Sequence, residues 1–120
     1  MNTNVRKFGL PAIIALITLA FVAAGLAKLA GVEDMVAVFD AVGVGQWLRY
    51  VTAIFEIGGA VLLWIPGKQF YGAGLLAATM TGAVLSHLFI LGTATMPPAV
   101  VLLILSAVIA YAYRDQSPLA

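Results

Sequence analysis

Residues 69–113 read QFYGAGLLAATMTGAVLSHLFILGTATMPPAVVLLILSAVIAYAY, 45 positions without one Asp, Glu, Lys or Arg. As one straight helix this stretch would extend ~68 Å, about twice the hydrocarbon thickness of a bilayer. It therefore folds back on itself. The turn is written at Gly92-Thr93-Ala94-Thr95-Met96-Pro97-Pro98, where two prolines that cannot continue a helix follow a glycine. The reading is two apolar helices, about 70–91 and 97–113, each near the length of a membrane span.

The rest of the chain agrees with that reading. Of 120 residues, 63% are hydrophobic and 9% charged, against about 25% charged in a typical soluble domain. Mean hydropathy is +1.09. Too little polar surface remains to cover a water-exposed globule. Span one is expected at about 8–27. Arg6, Lys7 and the small residues Ala23 to Ala27 imitate a signal peptide. However, the uncharged run from Phe8 to Ala27 is longer than the usual signal core of roughly 7–15 residues, and it reads as a retained transmembrane helix. Span two is expected at about 47–65, stopped by Pro66-Gly67-Lys68. The expected fold is all-α: a membrane four-helix bundle forming one transmembrane domain over 1–120.

Between spans one and two, residues 33–42 place Met35, Val38, Phe39 and Val42 on one helical face. Asp34, Ala37, Asp40 and Ala41 fall largely opposite. Acidic residues suit the start of a helix and Gly43 and Gly45 its end. The expectation is a short amphipathic helix lying on the membrane surface.

Orientation follows from the basic residues. With the N-terminus in the cytoplasm, Arg6, Lys7, Lys68 and Arg114 lie inside, and only Lys28 and Arg49 outside. The expected location is a bacterial plasma membrane, multi-pass, with both termini cytoplasmic. Trp47 and Tyr50 at the outer end, and Trp64, Tyr71, Tyr111 and Tyr113 at the inner end, suit interfacial belts. Small residues at Gly74, Ala78, Gly82 and Ser86, at Gly58 and Gly59, and at Ala20, Ala24 and Gly25 suit close helix packing. Packing within the monomer is the simpler reading, with a homo-oligomer the alternative.

A net charge of +1 makes no electrostatic case for nucleic acid. No cysteine is present, so the chain's own residues supply no disulfide, thiolate metal site or thiol redox chemistry. One histidine and one deep glutamate cannot close a metal site. Nucleotide and nucleophile motifs do not occur. What remains is ionisable. Charge at mid-bilayer costs about 2.5–3.5 kcal/mol even on the gentlest scale. Glu56 lies nine residues from Trp47, ~14 Å from the outer end of its span, and His87 ~7 Å deep. Lys28 sits near the outer end of span one. Arg49, Thr52 and Glu56 run along span two, which aims Arg49 and Thr52 at the same cleft. Thr79, Thr81 and Ser86 add hydroxyls. The expected ligand-binding or proton-handling residues are Glu56, His87, Lys28, Arg49 and Thr52. The plain alternative is that Glu56 pairs with His87 or Lys28 to hold the helices together. Asp34, Asp40 and Asp115 read as solvated.

Three segments carry a resemblance: Phe21-Val-Ala-Ala-Gly-Leu-Ala-Lys-Leu-Ala-Gly31, the run from Glu56-Ile-Gly-Gly-Ala60 to Ile65-Pro66, and Ala77-Ala-Thr-Met-Thr-Gly-Ala-Val-Leu-Ser-His87. In this order they resemble DoxX-like membrane proteins over nearly the whole chain. The resemblance implies a four-helix protein of prokaryotic plasma membranes. Some relatives are described as the small membrane subunit of a thiosulfate:quinone oxidoreductase, others as partners of oxidative-stress or thiol enzymes. It singles out Lys28, Glu56 and His87. The leading expectation is a membrane subunit, not a stand-alone enzyme, that binds a quinone or similar amphiphile for a partner redox system. Its cofactors would be none intrinsic, with a quinone as ligand. A non-enzymatic assembly subunit and a small proton-coupled transporter are the alternatives.

Overall fold

The computed structural model describes residues 3–118. Five α-helices follow one another: α1 (Leu10–Ala30), α2 (Glu33–Val42), α3 (Trp47–Leu62), α4 (Gln69–Ser86) and α5 (Pro97–Ala112). Two π turns flank them, π1 (Val5–Gly9) before α1 and π2 (His87–Leu91) continuing α4. No strand occurs among the described residues. The π1 turn has a local cause. Pro11 has no N–H to give the Lys7 carbonyl, and its ring crowds that oxygen, so the ladder widens there.

Turn chemistry sets the boundaries. α1 ends at Gly31, whose φ of 70° is open to glycine at little cost. Its N–H and that of Val32 turn back onto Lys28 O and Ala27 O. α2 ends the same way at Gly43, φ 82°. Pro97 and Pro98 occupy the first turn of α5, where their missing N–H groups leave no bond unmade. The expected surface helix at 33–42 is α2, residue for residue. The expected span at 47–65 is shorter as a helix, because turns occupy residues 63–64 and 66–67.

Two stretches, Arg6–Ala30 and Gln69–Leu91, form helices long and apolar enough to cross a membrane. Pro97–Ala112 is apolar but shorter, and the 16-residue α3 carries Arg49 and Glu56. The four longer helices alternate in direction. α3 packs between α1 and α4, α5 packs on α4, and α1 touches α5. Residues near the two chain ends meet. Arg6 donates to Ala112 O at the end of α5, and Gln116 bonds both Phe70 N and Gln69 at the start of α4.

Ile14, Ile17 and Phe21 of α1, Ala60 and Leu63 at the end of α3, Leu76 of α4 and Ile109 of α5 form the core. Two close crossings hold α3 in place. A Cβ on Gly25 would lie 2.6 Å from Ile57 Cγ1, so α1 meets α3 there. A Cβ on Gly72 would lie 2.7 Å from Gly59 O, so α4 and α3 touch backbone to backbone. These crossings correct the reading of the small-residue stripe. Gly74 and Gly82 have nothing within 4 Å of where a side chain would start. The packing face of α4 is Gly72, Ala73, Leu76 and Met80 instead. Of the Gly58–Gly59 pair, only Gly59 packs.

Candidate functional site

α3 and α4 touch backbone to backbone at Gly59 and Gly72. Gly82 lies ten residues further along α4, a rise of ~15 Å, and faces open space. The gap is a cavity of about 770 Å³ at the end of the molecule that holds α2 and the 92–96 turn. Its walls come from α1, α3, α4, π2 and α5, and its roof from α2. Nearest the chain ends, the lining stops at Ala24, Glu56, Ala78 and Leu102. Beyond that level the interior is the packed apolar core.

The roof departs from the sequence expectation. Met35, Val38, Phe39 and Val42 line the cavity, so the apolar face of α2 turns onto the molecule. Phe39 is buried. A polar network holds α2 there. Gln46 Nε2 donates to Val36 O (3.0 Å) and to Asp40 Oδ1 (2.7 Å), and Gln46 Oε1 accepts from Arg49 Nε (2.8 Å). Gln46 was not singled out from sequence. Its one signal is its place as a lone polar residue between Gly45 and Trp47.

Glu56 is 1% exposed and lies in the cavity wall. Lys28 Nζ is 2.8 Å from its Oε1. The contact is a close ion pair between α1 and α3. The glutamate's partner among the sequence alternatives is thus Lys28, not His87. The pairing is physically reasonable: the lysine stem runs along α1, and its ammonium reaches the one acid at that depth.

His87 lines the same cavity from the first position of π2. Its Nδ1 lies 3.2 Å from Gly92 O and 3.4 Å from Thr95 Oγ1, which ties the ring to the turn before α5. Thr52 also lines the cavity, its hydroxyl donating to Leu48 O within α3 (2.8 Å). Thr79 and Ser86 do likewise on α4, each bonded one turn back. Thr81 bonds Ala77 O and lies outside the lining.

Arg49 is elsewhere. It is buried, but its Nη1 donates to Lys28 O at the end of α1, its Nη2 donates to Tyr50 Oη (3.2 Å), and it does not line the cavity. A cation on the terminal carbonyls of α1 is favoured by the helix dipole. Arg49 therefore clamps α3 to the end of α1 rather than looking into the cleft. Arg49→Met is expected to lower stability by about 1.5 kcal/mol through these lost bonds, measured by SDS titration in mild detergent, with Glu56-dependent ligand binding retained.

No group of three or more acidic or histidine residues that could hold a metal occurs among the described residues. The order in which Lys28, Glu56 and His87 reach one cavity is the order of the three sequence segments. A family model described as the DoxX-like family matches residues 12–109. The chain belongs to the DoxX-like family. The match spans α1 to α5 and includes every residue of the cavity wall named above. No curated protein and no solved structure matches this DoxX-like chain. It is a DoxX-like membrane protein, with Arg6–Ala30 and Gln69–Leu91 as its two long apolar helices.

Proposed function

We propose that this DoxX-like protein crosses a bacterial plasma membrane four times, both chain ends cytoplasmic, and binds a quinone or similar amphiphile in its cavity for a partner redox system. The four-span reading rests on what the long helices turn outward. Leu16, Leu19 and Leu26 of α1, Ile54 and Val61 of α3, Leu85 of α4, and Val101, Ile104 and Val108 of α5 are all exposed. Water would leave these side chains unsatisfied, whereas lipid solvates them. Trp47 and Tyr50 at one end, and Trp64, Tyr71 and Tyr111 at the other, are exposed at interfacial heights. α3 and α5, ~24 Å each, reach the interfaces through these flanking aromatics and slight bilayer thinning.

The observation that carries the ligand reading is a cavity of about 770 Å³, mostly apolar in its walls, that ends on a buried ion pair. That is the composition of a site for a lipophilic molecule with a polar head. The donor set fits a quinone head. The Lys28 ammonium has N–H groups to donate to a carbonyl oxygen. The Glu56 carboxylate, in the cavity wall, can accept a hydrogen bond from a ring hydroxyl. His87 is held in the wall by its turn and is placed to take or give a proton nearer the roof. A quinone, when bound, would supply the two-electron chemistry; the chain positions the head and handles protons. The lining stops at Glu56 and Ala78, and the cluster beyond it is mainly apolar, which favours a binding site over carriage across the membrane.

Glu56→Gln should keep the fold and weaken binding of a short-tailed benzoquinone roughly tenfold or more, the worth of a charge-assisted hydrogen bond. Titration of the purified protein in lipid nanodiscs measures it. Binding unchanged by the substitution would remove the site from this reading. A crosslinked partner retained by Glu56→Gln, together with no quinone binding by the natural sequence, would point to an assembly subunit instead.

A further inference from the structure

The cavity is open to one side as well as below its roof. The lining includes Phe55 of α3 and Ala78 and Gly82 of α4, and all three are exposed. These residues sit along the middle of their helices, not at an end. Phe55 is eight residues into α3, and Ala78 nine residues into α4. In a bilayer that height faces acyl chains, not water. With Ser86, Ala78 and Gly82 form a stripe of small side chains along one edge of the opening, and nothing fills the space over Gly82. The same cavity holds Glu56, almost wholly buried and ion-paired with Lys28. One space therefore joins a polar end deep between the helices to a slot at lipid depth.

We propose that the gap between α3 and α4 is a lateral portal, through which the ligand enters from the bilayer and along which its long hydrocarbon or isoprenoid tail leaves, over Ala78 and Gly82 and past Phe55. The inference rests on the ligand reading above and narrows it to a membrane-dissolved amphiphile with an extended tail. The backbone contact at Gly59 and Gly72 fixes the closed end of the slot, and small residues keep the open end wide. The slot's role is to let the tail out, not to attract it. Lipid is as apolar as the slot, so moving a tail between them gains little hydrophobic free energy. Blocking the slot should therefore act by steric exclusion, and only on ligands that carry a tail.

Gly82 makes the test clean. A side chain there starts in free space, and glycine is a poor helix former, so Gly82→Phe fills the slot without disturbing a packed contact. Gly82→Ala, which leaves the slot open, is the control. Both are prepared in nanodiscs beside the natural sequence. Each is titrated with two benzoquinones, one carrying a single isoprene unit and one a long polyisoprenoid tail. The expected result is that Gly82→Phe weakens the long-tailed quinone at least ~tenfold. The short-tailed one should still bind within about twofold, with Gly82→Ala like the natural protein for both. Equal binding of both quinones to Gly82→Phe would overturn the portal while leaving the cavity site standing. Equal loss of both in Gly82→Phe, with thermal stability unchanged, would also overturn it, since the block would then lie on the head. If the natural sequence binds neither quinone, the ligand reading itself fails and the portal with it.

Discussion

Lys28→Met should cost the protein about 3 kcal/mol of stability, and adding Glu56→Leu should return most of it. The expectation follows from the position of the pair. Glu56 is 1% exposed, and the Lys28 ammonium, 2.8 Å away, is its only charged contact among the described residues. Removing one partner of a buried ion pair leaves a charge in a low-dielectric wall, a loss of about 3–5 kcal/mol, whereas replacing both by apolar groups of similar volume is close to neutral. The low end applies because the pair borders a cavity rather than solid packing. A double-mutant cycle in mild detergent with SDS as denaturant separates the coupling from the single effects. Additive losses, with the double variant the least stable of the set, would mean that the pair does not act as a unit. The double variant also separates stability from function: it should fold and fail to bind quinone.

Gly72→Ala should be the most damaging single-methyl change on α4, at about 2 kcal/mol. Its new Cβ would lie 2.7 Å from Gly59 O, 2.8 Å from Leu62 Cβ and 3.0 Å from Leu63 N. All three atoms belong to α3 or its end, and two are backbone, so no side chain can rotate aside. Overpacking of this kind costs about 1–3 kcal/mol, and the better helix propensity of alanine offsets at most ~1 kcal/mol of it. Gly58→Ala and Gly74→Ala face open space and should be neutral or stabilising by up to ~1 kcal/mol. The three substitutions look alike in sequence, all glycine to alanine in apolar helices. If they unfold at the same SDS concentration, the α3–α4 crossing is not where the two helices meet. If they differ as expected, Gly72→Ala should also loosen the cavity, which both helices line.

The positions of α2 and α5, the turn at Gly92 to Pro98 and the glycine end of α2 were legible in the residues. They depend on local chemistry: where charge is missing, where proline removes a donor, where glycine permits φ > 0. Lys28, Glu56 and His87 were legible for a related reason, since an ionisable group inside an apolar run stands out whatever surrounds it. The azimuth of each helix was not. α1, α4 and α5 are apolar on every side, so periodicity had no polar face from which to orient them. Nothing local distinguishes Gly72, jammed against α3, from Gly82, which opens onto the cavity. The same limit hid that Arg49 reaches the end of α1 and that α2 lays its apolar face over a cavity.

The charge-free stretch 69–113 by itself determined two apolar helices and the turn between them, because helix length and proline geometry are properties of the chain alone. Only the tertiary structure decided that the first of those helices packs Gly72 against α3 and turns Gly82 onto an open cavity. Packing is a relation between two backbones, and the contact at Gly59 and Gly72 is written in no single segment.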